Sequence, residues 1–186
     1  MSDRRVISAV LMVLANLAVV CLFWWAHSGP MVSGPWSTGN LAIALGRLAG
    51  LLLQFALLLQ LVLIGRISFI ERAVGFDTMN RLHRWLGYSL VVFIVLHPLM
   101  LTLGYSAINQ QSAPSTFVGF AIGFEDVLNA IFGTVLLLGV IALSIPWVRR
   151  KLRYESWHAI HLLTYAAMAL SFGHQAKVGG DFVSQP

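Results

Sequence analysis

The chain has 186 residues, of which 58% are hydrophobic and only 10% charged, and its mean hydropathy is +0.80. A soluble domain carries about 25% charged residues, so the solvated surface a soluble fold would need is missing; the apolar content excludes disorder, and Cys21, the single cysteine, excludes a disulfide framework. The formal net charge of +5 is read as basic loops kept on the cytoplasmic side of a membrane, with no nucleic-acid partner.

An all-α fold is expected, an integral membrane helical bundle filling residues 1–186. A spanning helix needs roughly 20 mostly apolar residues. The first span is expected from Val6 to Ala26. Arg4 and Arg5 precede it, as in a signal peptide, but the apolar run is too long and no small-residue cleavage site follows Trp24 and Trp25. It is therefore read as a retained helix. His27 to Asn40, rich in Gly, Ser and Pro, is expected to be a loop. The second span runs from Leu41 to Ile64 and the third from Leu82 to Leu103. Tyr105 to Phe124 is polar and contains proline, and is expected to be a loop. The fourth span covers Val127 to Val148, and the fifth runs from Trp157 through Phe172 to His174.

Basic residues orient these five spans. Arg4, Arg5, Arg66, Arg72, Arg81, Arg84, Arg149, Arg150, Lys151 and Arg153 fall on one side, and only Lys177 on the other. The positive-inside rule then puts the N-terminus in the cytoplasm. A bacterial inner membrane is the expected location, with lipid as the surrounding partner.

Four of the six histidines form a pattern. His83 and His97 lie 14 residues apart on the third span, and His161 and His174 lie 13 apart on the fifth. At 1.5 Å per residue each pair is separated by about 20 Å, and both helices cross in the same direction. One His–His pair is thus available at each of two depths. Neutral imidazole is an axial ligand for haem iron, and two facing imidazoles would sandwich a flat macrocycle. The expected cofactors are two b-type haems, with His83 and His161 as inner ligands and His97 and His174 as outer ligands. On a straight helix 14 steps return to within about 40° of the same face, whereas 13 steps end about 140° away. The fifth helix must therefore wind differently, tilt, or approach the two haems from different sides. His158, at the cytoplasmic edge, is read as an interfacial residue or a propionate partner, and His27 as solvated.

Arg47 is the one basic residue within a span. It would snorkel to the outer interface, or pair bidentately with a propionate of the outer haem or contact an outer substrate. Arg81 and Arg84 flank His83, and would serve the inner haem's propionates or act as cytoplasmic anchors.

The stretches FDTMNRLHRWLGYSLVVFIVLHPLMLTLGY (Phe76 to Tyr105) and YESWHAIHLLTYAAMALSFGH (Tyr154 to His174) resemble the ferric reductase-like transmembrane domain. That superfamily includes NADPH oxidases, ferric-chelate reductases and bacterial ferredoxin-reductase-like membrane proteins. LIGRISFIERAVGFD (Leu63 to Asp77) looks most like the bacterial branch. His83, His97, His161 and His174 fall on the family's paired-histidine positions. Tyr154 and Glu155 match the tyrosine-glutamate before its fifth helix, and Arg47 in LGRLAG matches an arginine near the outer haem.

The resemblance implies transmembrane electron transfer. Electrons would pass from cytosolic NAD(P)H to FAD, then through the inner and outer haems to oxygen or ferric iron at the outer face. The family core has six helices followed by a flavin dehydrogenase domain. Here the sequence ends at AKVGGDFVSQP, so it is expected to be a fragment, or to take FAD and NAD(P)H chemistry from a partner polypeptide. The alternatives are a cytochrome b subunit that exchanges electrons with quinone or feeds a separate periplasmic reductase, and a non-redox membrane protein whose histidines pack or relay protons.

Overall fold

The computed structural model describes residues Ser2 to Lys177, without the side chains of 2, 3, 125, 176 and 177. Val178 to Pro186, most of the terminal AKVGGDFVSQP stretch, lies outside the described residues. The described residues contain helices and no strand, so the all-α membrane bundle expected from composition is the fold. The chain forms two compact units that meet in sequence at Gln110 and Gln111.

The first unit holds α1 (Ser2–Ser33), α2 (Thr38–Ile64), α3 (Ser68–Val74) and α4 (Phe76–Asn109). The long helices α1, α2 and α4 are each apolar enough to cross a membrane. Only 6% of the most apolar stretch of α1 is buried within the protein, so lipid must cover most of it. α1 is tied to α2 by the Trp24 indole, whose Nε1 donates to the Ala44 carbonyl oxygen at 2.7 Å.

α2 and α4 run antiparallel along a seam of small residues. Gly39 faces Gly104 and Ile108 near one end, and Gly46 faces Leu101. Gly50 faces His97, and Gln60 faces Gly87 near the other end. Without a hydrophobic driving force between lipid-immersed helices, close backbone approach and van der Waals packing hold such a pair. Beyond Gln60, Leu63 of α2, Ile70 of α3 and Met79 of α4 form a buried cluster. Gly75, at φ 83°, lets the chain turn from α3 into α4.

The second unit holds α5 (Ala113–Gly123), α6 (Glu125–Ser144), α7 (Pro146–Arg149), α8 (Tyr154–His161) and α9 (Leu163–Lys177). α6 is the fourth helix long and apolar enough to cross a membrane. α6 packs antiparallel to the segment formed by α8 and α9. A methyl on Gly133 would lie 2.7 Å from both the Ala167 carbonyl oxygen and Ser171 Oγ.

Several expected boundaries are corrected. His27 to Ser33 is helical, not loop, and only residues 34–37 separate α1 from α2. Pro30 sits in the last turn of α1, where it forfeits the backbone bond to the carbonyl four residues earlier, a loss that membrane helices tolerate. Tyr105 to Phe124 is also largely helical. α4 continues to Asn109 and stops where Gln110 turns left-handed, and α5 begins at the Ser112 cap with a proline in its first turn. The fourth span ends at Ser144, because Ile145 precedes a proline and is extended. The fifth is two helices, α8 and α9, broken at Leu162.

The seam leaves no room at its tightest point. A methyl on Gly104 would lie 2.6 Å from Ile43 Cγ1 and 2.8 Å from the Gly39 carbonyl oxygen. Gly104→Ala is expected to cost about 1–3 kcal/mol, the usual penalty for overpacking. A lowered thermal midpoint of the protein in detergent would register it, and an unchanged midpoint would contradict the close seam.

Candidate functional site

His97 projects from α4 onto the glycine seam of α2. Its Nδ1 lies 2.9 Å from the Gly46 carbonyl oxygen. A carbonyl only accepts, so Nδ1 carries the proton and Nε2 keeps its lone pair. That tautomer is the one in which imidazole binds a metal through Nε2. Gly50 forms the floor beneath the ring: a methyl there would stand 2.6 Å from Nδ1 and 2.8 Å from Cε1.

His83 lies about four turns earlier on the same uninterrupted helix, half-buried, so the expected common face is available. Its backbone carbonyl accepts from Gln60 Nε2 at 3.0 Å. Gln60 is buried, and its Oε1 has no hydrogen-bond partner among the described residues. The amide thus ties α2 to α4 at the depth of His83, as Gly46 and Gly50 do at the depth of His97.

In the second unit His161 ends α8 and reaches the last residue of α6. Its Nδ1 lies 3.3 Å from Ser144 Oγ. Ser144 donates its own proton to the Val140 carbonyl oxygen, which is closer at 2.7 Å. The serine oxygen is therefore left to accept, and His161 Nδ1 is the donor. His161, like His97, keeps an Nε2 lone pair. Trp157 Nε1 donates to the same oxygen at 3.3 Å. The Trp157 ring also stacks on His161, with centroids 4.9 Å apart and planes 28° from parallel. The Arg149 guanidinium covers Trp157 at 4.4 Å.

His174 lies on α9 next to Gly173, whose methyl would meet Asp126 Oδ1 at 2.9 Å. His161 and His174 are thus set beside opposite ends of α6. The helix between them does wind differently from a straight α-helix. Tyr165 N bonds back three residues to the Leu162 carbonyl at 3.1 Å, and Thr164 Oγ1 donates to the His161 carbonyl at 2.8 Å. Tightening of this kind adds about 20° per 3₁₀ step, so it moves the pair towards a common face and supplies part of the missing rotation.

The basic candidates are less engaged. Arg47, next to Gly46 on α2, is half-buried and makes no ion pair or side-chain hydrogen bond among the described residues. Arg81 and Arg84 are exposed. His158 is exposed and stacks on Tyr154, with centroids 5.8 Å apart. His27 belongs to α1, and its Nδ1 donates to the Phe23 carbonyl at 2.9 Å. Sequence reasoning missed Gly46, Gly50, Gln60 and Ser144. The Gly46–Gly50 spacing of four, a small-residue signature of close helix pairs, was a usable signal; Ser144 had none.

An all-helical membrane bundle with imidazoles set at two depths in each unit defines the class of protein. The family model for the ferric reductase like transmembrane component matches residues 45–172, and the chain belongs to that family. The match contains Arg47, Arg81, Arg84, His83, His97 and His161; His174 lies two residues beyond it. No curated protein matches the chain, and no solved structure does.

Gly50→Ala is expected to push His97 off the Gly46 carbonyl. The ¹⁵N signal of the His97 ring, in the labelled chain in lipid, should then lose its single Nδ1–H tautomer. A ring signal identical to wild type would contradict the packing described.

Proposed function

We propose that the chain moves electrons across a membrane with two b-type haems, one held by His83 and His161 and the other by His97 and His174. The observation that supports this reading most is the state of two imidazoles, one in each unit. His97 and His161 both have Nδ1 engaged by an oxygen acceptor, the Gly46 carbonyl and Ser144 Oγ, and both present Nε2. In that tautomer a neutral imidazole ligates a metal through Nε2. Membership of the ferric reductase like family supports the same reading. When bound, haem supplies a one-electron iron couple.

The chain's own residues orient and shield. Gly46 and Ser144 fix the ligand tautomers, Gly50 gives the His97 ring its place, and the apolar helices exclude water. Arg47 pairs with a propionate of the haem held by His97, since a half-buried guanidinium in a membrane helix needs a carboxylate or water. Arg81 and Arg84, exposed on either side of His83 in the sequence, would hold the propionates of the other haem. The N-terminus lies in the cytoplasm of a bacterial cell, and electrons come from NAD(P)H through FAD on a flavin dehydrogenase domain or subunit. They leave to a small-molecule acceptor at the outer face, ferric iron or oxygen.

Membranes containing the chain are expected to show a reduced-minus-oxidised spectrum of low-spin haem, with two haems per chain. His97→Ala or His174→Ala should each leave one. Absence of the low-spin signal, or two haems retained in either variant, would overturn the proposal. Arg47→Ala is expected to weaken retention of the haem held by His97 about 10-fold or more, as loss of a supporting contact commonly does. Equal haem content after detergent washing would point to simple snorkelling.

A further inference from the structure

Ser144 sits at a junction of three hydrogen bonds. Its Oγ donates to the Val140 carbonyl at 2.7 Å, and two ring N–H groups, Trp157 Nε1 and His161 Nδ1, approach the same oxygen at 3.3 Å. Both rings come from α8 and both bonds are long, so the two donors share one acceptor. Trp157 is held in place by two contacts, its stack on His161 and the Arg149 guanidinium over its ring. The indole cannot swing away from the serine without breaking both stacks.

We infer that Ser144 is a positioning residue that fixes the His161 tautomer and sets the donor strength of its Nε2, and that Trp157 limits this effect by competing for the same oxygen. An acceptor at Nδ1–H raises the basicity of the other ring nitrogen. A more basic ligand stabilises ferric over ferrous iron, so the serine lowers the potential of a haem held by His161. Trp157, by drawing on the serine oxygen, holds that lowering in check. The potential half of this inference rests on the haem reading of His161; the tautomer half does not.

Two measurements separate them. In membranes poised at a fixed ambient potential, Ser144→Ala should raise the ferrous-to-ferric ratio of one haem about three- to tenfold, the range expected for one neutral hydrogen bond. Trp157→Phe, which keeps a stacking ring and removes the N–H, should shift the ratio of the same haem the opposite way. Ser144→Thr, which keeps the hydroxyl, should restore the wild-type ratio. A ratio unmoved by Ser144→Ala at equal haem content, or shifts of the same sign in the Ala and Phe variants, would overturn the inference. In the haem-free chain labelled with ¹⁵N-histidine, the His161 ring should be in the Nδ1–H form and Ser144→Ala should move it towards Nε2–H. A wild-type ring already in the Nε2–H form would overturn the inference by itself. Lack of any haem in wild-type membranes would instead defeat the proposed function and leave the tautomer test standing.

Discussion

An imidazole inside a membrane has two nitrogens and no water to satisfy them. If one is to bind a metal, the other needs an acceptor within the protein. For His97 the acceptor is a backbone carbonyl of the neighbouring helix, Gly46 at 2.9 Å. A helix carbonyl can be reached this closely only where the intervening side chains are absent. Gly46 and Gly50 provide that gap, and Gly39 and Gly104 extend it along the seam. The register of α2 against α4 follows from these contacts. The depth of His83 follows in turn, because Gln60 reaches its carbonyl from the same helix.

The second unit meets the same need by different means. α6 presents a side-chain hydroxyl rather than a bare carbonyl. That hydroxyl is oriented by its own bond to Val140, so its oxygen faces His161. A backbone carbonyl has a fixed direction that no substitution at its own residue removes, whereas a serine can be replaced and is shared with Trp157. The two imidazoles are therefore held with unequal firmness. The chain belongs to the ferric reductase like family, and these supports are read from its own packing.

Much of the fold was legible because membrane helices are written in long apolar runs, and the four long helices lie where those runs do. The histidine spacing on α4 was legible for a similar reason: one unbroken helix obeys its period from Phe76 to Asn109. The errors fell where local chemistry outweighed composition. Pro30 and the glycines near it read as a loop, yet in a nonpolar setting a helix keeps its backbone bonds rather than expose them. Ser112 and Pro114 formed a helix start that a polar stretch concealed. The break at Leu162 had only an indirect sign, the 13-residue spacing that a straight helix could not accommodate. The close approach at Gly50 and the role of Ser144 depend on contacts between segments far apart in sequence, so no local pattern records them.

The break at Leu162 bears on the order in which the protein takes shape. Membrane helices insert first and dock afterwards. α4 can carry His83 and His97 into the bilayer already at their final spacing, because one long helix stores that spacing in its own backbone. α8 has eight residues, too few to hold a helix firmly by backbone bonds alone. Its bonds to Ser144 form only when it meets the end of α6. His161 therefore takes its place at docking rather than at insertion, whereas His83 and His97 arrive on α4 already spaced.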